Sequence, residues 1–276
     1  MERGVNMKGL ICYFSGSGNT LLACRYIRDS IRGVDFDLYD ITSGNDVNYG
    51  NYDIIGFACY ADFFGPSPLM RTFVKQVPLQ SRKPSFVFNT YGNFNGPTLA
   101  ILSRIVRSRG FNIIAGYALH MPENIPTMIM MGVANTQAPD EKELAEFKSF
   151  IDDLNGKIEK LKNGINAPAF IPKFGEQLLF AIPRIAAKIA MGKKMVDTER
   201  CIKCGICVKK CPYHAITINE YPVFDEKKCQ SCWRCYNCCR EKAIYTKKYR
   251  DVAHSPEPIA DVRRKMELPY TSSPTP

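Results

Sequence analysis

The sequence predicts an α/β fold, a doubly wound parallel sheet, followed by a small α+β domain. Three observations carry this expectation. Apolar runs alternate with helix-like segments through the first 120 residues, and strands alternating with helices build βαβ units whose sheet is covered on both faces. A strongly amphipathic helix follows at residues 140–162. Beyond it, nine of the twelve cysteines crowd between Cys201 and Cys239.

The elements fall out in order. Residues 8–14 form a short apolar run suited to a buried strand, and 19–32 set Leu22, Tyr26, Ile27 and Ile31 on one helical face. Residues 34–41 alternate like an outer strand. Residues 52–59, 85–89 and 111–119 read as further strands, and 69–77 and 97–109 as the helices between them. In the helix at 140–162, Leu144, Phe147, Phe150, Ile151, Leu154, Ile158 and Leu161 recur at helical spacing. Pro139 precedes it and Asn163-Gly164 ends it. Residues 178–190 suggest one or two short helices broken near Pro183. The domain plan is 1–165, a linker at 166–194, a cysteine domain at 195–250 and a disordered Pro-rich tail at 251–276.

Composition narrows the class. The chain has 276 residues, 45% apolar and 23% charged, ordinary values for a globular protein. No stretch reaches the roughly 18 consecutive apolar residues of a membrane span. The N-terminus has no signal-peptide pattern, so a cytoplasmic location is expected. A disulfide scaffold would be small and cysteine-dense throughout; this chain is not. The formal charge of +10 is uneven. Residues 1–165 hold 17 Lys/Arg against 16 Asp/Glu, and residues 166–276 hold 20 against 11.

The cysteines form two copies of one run about 28 residues apart: Cys201, Cys204, Cys207 and Cys211, then Cys229, Cys232, Cys235 and Cys239. The pattern C-x2-C-x2-C-x3-C-P is that of bacterial two-cluster [4Fe–4S] ferredoxins, in which the fourth cysteine of each run ligates the other cluster. Three thiolates on a tight loop reach three irons of a cube, and the fourth iron takes a distant ligand. One cluster is then expected on Cys201, Cys204, Cys207 and Cys239, the other on Cys229, Cys232, Cys235 and Cys211. Zinc is the alternative, but zinc sites pair two CxxC elements or mix Cys with His. Two departures stand out: Arg240 replaces the second proline, and Cys238 adds a ninth thiol. Spacing selects Cys239 as the ligand and leaves Cys238 as a spare or substitute. Strand-like stretches at 215–218 and 243–246 follow the runs.

In an open parallel sheet ligands bind beyond the carboxyl ends of the strands. The first such loop is Ser15-Gly16-Ser17-Gly18-Asn19-Thr20, a strand-to-helix turn able to cradle a phosphate with N–H groups and hydroxyls. It lacks a Walker lysine, and Leu21 stands where a dinucleotide fingerprint needs a third glycine. A plain Gly/Ser turn is the other reading. Two further loops, with Tyr60 and Phe63 and with Thr90, Tyr91 and Gly92, combine aromatics with glycine. They suit stacking on a flat ring, or else cap the core.

With these loops in place, residues 8–120 resemble the flavodoxin family, and the whole span 8–250, with the segment Met121-Pro122-Glu123-Asn124, resembles the fused flavodoxin–ferredoxin proteins of anaerobic bacteria and archaea. The resemblance implies a strand order 2-1-3-4-5, bound FMN, and electron exchange between flavin and clusters. Ser15 and Ser17 stand where typical flavodoxins have threonine. The implied function is an electron-transfer flavo-iron–sulfur protein, a carrier rather than a substrate-converting enzyme. A flavin-dependent reductase of a small molecule, or a ferredoxin module with a flavin-free docking domain, are the competing readings.

Lesser features complete the expectations. Cys12, Cys24 and Cys59 are read as buried, His120, His214 and His254 as structural or surface groups, and Trp233 as a shield for the second cluster. The apolar and basic segment 170–195 either lies on a membrane surface or docks the two domains. Lys203, Lys209, Lys210, Lys227, Lys228, Arg234 and Arg240 surround the cysteines and suit an acidic redox partner, such as an acidic ferredoxin or flavodoxin. No specific nucleic-acid partner and no transmembrane segment are expected.

Overall fold

The computed structural model of the chain describes residues 7–173, 184–252 and 254–267. Its centre is a parallel sheet of β1 (Met7–Tyr13), β2 (Val34–Asp40), β3 (Ile54–Tyr60), β4 (Pro84–Tyr91) and β5 (Asn112–His120). The strand order is β2-β1-β3-β4-β5, as the resemblance implied. One row runs across it from Asp37 through Leu10, Ile55 and Ser85 to Ile113.

Both faces of this sheet are apolar and covered. Ile11, Ile54, Ala58, Phe86 and Phe88 pack beneath α1 (Asn19–Ser30) and α5 (Glu141–Lys162). Leu10, Cys12, Ile55, Phe57 and Val87 pack against α2 (Pro68–Gln76) and α3 (Thr98–Ser108). Two-sided burial explains why β1 and β3 read as unbroken apolar runs. The edge strand β2 alternates, burying Val34 and Phe36 and exposing Asp35 and Asp37. Cys12, Cys24 and Cys59 are fully buried, and burial pushes the Cys59 thiol up to about 12.

The helix ends follow local chemistry. Asp140 and Glu143 form a capping box at α5, satisfying two orphan N–H groups reciprocally. The other Glu143 oxygen holds His120 Nδ1 at 2.7 Å, and the His120 ring stacks on Tyr91. Ser67 Oγ caps α2 by accepting from the Met70 N–H at 3.3 Å. A short helix that the sequence pattern missed, α4 (Pro126–Met130), follows β5.

The stretch expected as one linker, 166–194, divides between two units. Phe170 stays with the sheet, its N–H donating to the Ile113 carbonyl at 2.8 Å and its ring against Gly116. The suspected break near Pro183 lies outside the described residues. Helix α6 (Arg184–Met191) docks on the cysteine unit: Met191 packs with Trp233, Tyr236 and Tyr249, and Lys248 Nζ donates to the carbonyls of Ile189 and Ala190.

The cysteine unit is a twofold repeat offset by 28 residues. β6 (Met195–Val196) pairs antiparallel with β9 (Ile244–Tyr245), and β7 (Ile216–Ile218) with β8 (Pro222–Phe224). Helices α7 (Ile206–Lys209) and α8 (Arg234–Cys238) follow the cysteine loops. Left-handed residues recur at matching positions: Lys203 and Ser231, Gly205 and Trp233, His214 and Lys242. Before each run an aspartate braces the turn. The Asp197 and Asp225 carbonyls accept from the N–H groups of Cys201 and Cys229. Asp197 Oδ1 accepts from Glu199 and Arg200, and Asp225 Oδ1 from Lys227 and Lys228.

The expected disordered tail is corrected over 254–267. Helix α9 (Ala260–Lys265) lies on the sheet domain, with Val262 and Met266 buried in the core shared with α1. The two apolar residues sit four apart on one face, while Arg263, Arg264 and Lys265 supply the other. So short a helix gives almost no periodic signal inside a Pro-rich, polar segment. Val262→Asp is expected to cost at least about 2 kcal/mol by burying an unpaired charge. Denaturant unfolding of the sheet domain measures the loss, and limited proteolysis should newly cut residues 254–267.

Candidate cofactor sites

A cavity of about 260 Å³ opens at the C-terminal edge of the sheet. Ten of the eleven residues expected to hold a flavin line it. The exception is Gly18, the N-cap of α1 with φ 99°, which is covered by the Pro258 ring; a Cβ there would meet that ring at 2.7 Å. The phosphate-type loop is braced from within. Ser15 Oγ accepts from the N–H groups of Gly18 and Leu21 at 3.1 and 3.3 Å. Thr20 and Thr90 hydroxyls bond at 2.8 Å, and Asn124 Nδ2 donates to Ser17 Oγ. All three hydroxyls expected to face a phosphate, on Ser15, Ser17 and Thr20, thus take part in positioning the loop.

Glu123 was legible only as part of a recurring segment, and its task is structural. Its carboxylate accepts from the N–H groups of Asn93, Asn124 and Ile125 at 3.1, 2.9 and 2.9 Å. It therefore locks the loop after β4 to the loop after β5. Phe63 and Phe64 are both left-handed, with φ of 52° and 62°, a conformation costing of order 1–3 kcal/mol per residue and concentrated at functional sites. The pair presents aromatic rings at the cavity wall beside Tyr60 and Tyr91. No lysine or arginine lines the cavity among the described residues. A flat ring between aromatics and a phosphate met by neutral donors fit this lining.

The roof of the cavity comes from the cysteine unit, which the sequence did not reveal. Met191, Ser231, Cys232, Trp233 and Asn237 close it. Trp233 is 2% exposed. Its indole N–H donates to the Met191 sulfur, and Tyr236 and Tyr249 meet it edge-on.

A second, small cavity lies behind that roof. Cys211 of the first run lines it together with Cys229, Cys232 and Cys235 of the second, the exchange of fourth cysteines that the repeat predicts. Burial pushes the Cys232 thiol up to about 11, with Asp62, Cys229 and Cys211 adding to it and the Arg234 N–H opposing. Burial also raises Cys207 to about 11, and its neighbours Cys239, Cys204 and Cys201 raise it further. Each expected quartet therefore crowds at least one thiol raised by burial. Thiols raised in this way release protons when a metal centre takes them as thiolates. Among the described residues no group of three or more His, Cys, Asp or Glu side chains is arranged to hold a metal ion.

Cys238 and Cys239 differ in their bonding. Cys239 Sγ accepts from the Ala243 N–H at 3.3 Å, and Cys211 Sγ accepts from the Ala215 N–H at 3.3 Å. These are equivalent bonds in the two repeats, and N–H groups on cluster sulfurs are a recognised tuning device. Cys238 Sγ instead donates to the Cys235 carbonyl. Of the basic residues expected around the cysteines, Arg234 is corrected. It is 8% exposed, with a guanidinium nitrogen 3.8 Å from Asp40 Oδ2, so it ties the cysteine unit to β2 and leaves the surface set.

A family model described as a 4Fe-4S binding domain matches residues 194–217. That match falls in the cysteine unit, after the parallel sheet of order β2-β1-β3-β4-β5. The chain is similar to an "Iron-sulfur protein" of Rhodospirillum rubrum, 33% identical over 24% of this chain and 45% of that one; the match spans less than half of that curated relative. The flavodoxin-like part is similar to an archaeal flavodoxin, at 19% identity, TM-score 0.40, covering 55% of this chain and 99% of that one. It is also similar to a flavodoxin of Streptococcus pneumoniae TIGR4, at 18% identity, TM-score 0.41, covering 54% and 99%. No helix among the described residues is long and apolar enough to cross a membrane.

The bonding of the two adjacent thiols gives a direct test. Cys239→Ser should remove or convert one cluster, lowering iron by up to half, while Cys238→Ser should keep the wild-type iron and sulfide content. Iron analysis of anaerobically purified variants, with paramagnetic resonance of the reduced proteins, measures both.

Proposed function

We propose that the chain is an electron-transfer flavo-iron–sulfur protein, holding FMN in the strand-end cavity and two [4Fe–4S] clusters in the cysteine unit. One observation carries the reading: Ser231, Cys232 and Trp233 wall both cavities. A flavin site and a cluster site would then share one stretch of chain. FMN would supply one- and two-electron exchange and each cluster one-electron exchange. The protein's part is position and environment. Cys211, Cys229, Cys232 and Cys235 would hold the flavin-side cluster. Cys201, Cys204, Cys207 and Cys239 would hold the outer one, where Cys204 is exposed. Trp233, bonded to the Met191 sulfur, would stand between the two cofactors.

The competing readings fare less well. A zinc module is disfavoured by the spacing of the cysteines, two four-cysteine runs where zinc sites pair CxxC elements or mix Cys with His. A flavin-free docking domain leaves unexplained the strained Phe63-Phe64 pair and the cavity it borders. A small-molecule reductase would need a substrate beside the flavin, and Trp233 and Met191 of the cysteine unit line the cavity where it would enter.

Anaerobically purified protein is expected to contain about eight iron atoms, equimolar sulfide and one FMN per chain, and to take up about four electrons in a reductive titration. Ser17→Asp should expel the flavin by setting negative charge against the phosphate while leaving the iron content unchanged. Stoichiometric zinc with negligible sulfide would refute the reading.

The cysteine unit presents a basic surface. Lys203, Lys209, Lys210, Lys227, Lys228 and Arg240 are exposed. Two oxidised clusters at about −2 each leave the 166–276 segment basic, which suits an acidic redox protein. Complementary charge raises the association rate, and salt weakens it. Stopped-flow reduction by an acidic ferredoxin should slow at least about tenfold between low and moderate ionic strength. Reversing Lys209 and Lys210 to Glu should slow it at low salt.

A further inference from the structure

A buried cation faces the flavin-side cysteine cavity. Lys194 stands just before β6, is 6% exposed, and lines the cavity of Cys211, Cys229, Cys232 and Cys235. Its Nζ lies 3.9 Å from the centroid of a Trp233 ring, a favourable cation–π position. The same nitrogen has no hydrogen-bond partner among the described residues. A desolvated ammonium in this state is costly unless an anion compensates it.

The charges around the cavity identify which anion is missing. Arg234, also on its lining, is matched by Asp40. Asp62 lines the strand-end cavity and not this one. Lys194 and Cys235 line the same cavity, and among the described residues no carboxylate lines it. The twofold repeat sharpens the point. Twenty-eight residues on from Lys194 stands Pro222 in β8, so the equivalent place in the other half carries no charge.

We infer that Lys194 sets the reduction potential of the cluster held by Cys211, Cys229, Cys232 and Cys235, its ammonium offsetting the unit of negative charge that this cluster gains on reduction. The inference rests on the cluster assignment proposed above. The step is a one-electron gain from a flavin or an external reductant, with no bond made or broken. A fixed positive charge in a dry site stabilises the more negative oxidation state, and cluster potentials respond to net charge and exposure. Among the described residues, Lys194 is the one buried lysine whose ammonium has no hydrogen-bond partner, and it lines the flavin-side cavity.

The experiment is a redox titration of the full chain, followed by paramagnetic resonance, on protein with measured iron and sulfide. Lys194→Met should make reduction of one cluster at least tenfold less favourable, a midpoint lower by 59 mV for one electron, and leave the other unmoved. Lys194→Arg should stay close to wild type, and so should Lys203→Met, which removes an exposed cation near Cys204. If Lys194→Met loses that cluster's four irons, Lys194→Arg decides. Retention at the wild-type midpoint supports a requirement for charge, and loss in both variants reduces Lys194 to packing and overturns the inference. Unchanged midpoints in a fully loaded Lys194→Met protein, or equal shifts of both clusters, overturn it as well. Wild-type protein without iron and sulfide would instead refute the proposed function itself.

Discussion

Trp233 is buried where the sheet domain and the cysteine unit meet, and the geometry on either side follows from its position. Its ring sits between the Met191 sulfur, the Lys194 ammonium and the edges of Tyr236 and Tyr249. A left-handed tryptophan costs of order 1–3 kcal/mol. Burying an aromatic of 150–250 Å² returns an upper bound of about 4–6 kcal/mol. The balance favours keeping the strained backbone. Displacing this one ring would open the roof of the strand-end cavity and a wall of the cysteine cavity together.

The cysteine unit is a repeat whose two halves have been turned to different ends. Both halves keep the bracing aspartate, the left-handed positions and the N–H bond onto the fourth sulfur. They diverge where the surroundings diverge. The outer half has Gly205 at the helix N-cap, where the left-handed backbone is easily adopted, and it exposes Cys204 to solvent. The inner half has Trp233 at that place, with Arg234 reaching Asp40 of the sheet. Backbone requirements are therefore shared between the halves, and side chains at the same backbone positions carry the docking.

Much of this was legible in the sequence because the signals were local. Unbroken apolar runs marked β1, β3 and β4, since a strand buried on both faces needs no alternation. The spacing of Leu144 to Leu161 marked α5, and the 28-residue repeat paired Cys211 with the second run. The strand-end loops were found by their glycines and aromatics. What stayed hidden was non-local. Nothing in the run around Trp233 says that it roofs a cavity built from residues more than 100 positions earlier. Lys194 reads as one more base in a basic segment until its burial is known. The aspartates Asp197 and Asp225 did carry a signal, since aligning the two repeats places both four residues before the first cysteine.

The last helix changes how the second unit is attached. Phe170 fastens the chain to β5 before the cysteine unit, and Val262 and Met266 fasten it to the sheet's other core after it. Topologically the cysteine unit is thus an insertion, stapled to its host at both ends, rather than a bead on a string. Swinging it away would require peeling α9 from the core and lifting Pro258 off Gly18. A singly tethered module samples its host at the effective concentration its linker allows. This one is held in place by burial, so the distance between its two cavities is fixed by packing and does not depend on encounter.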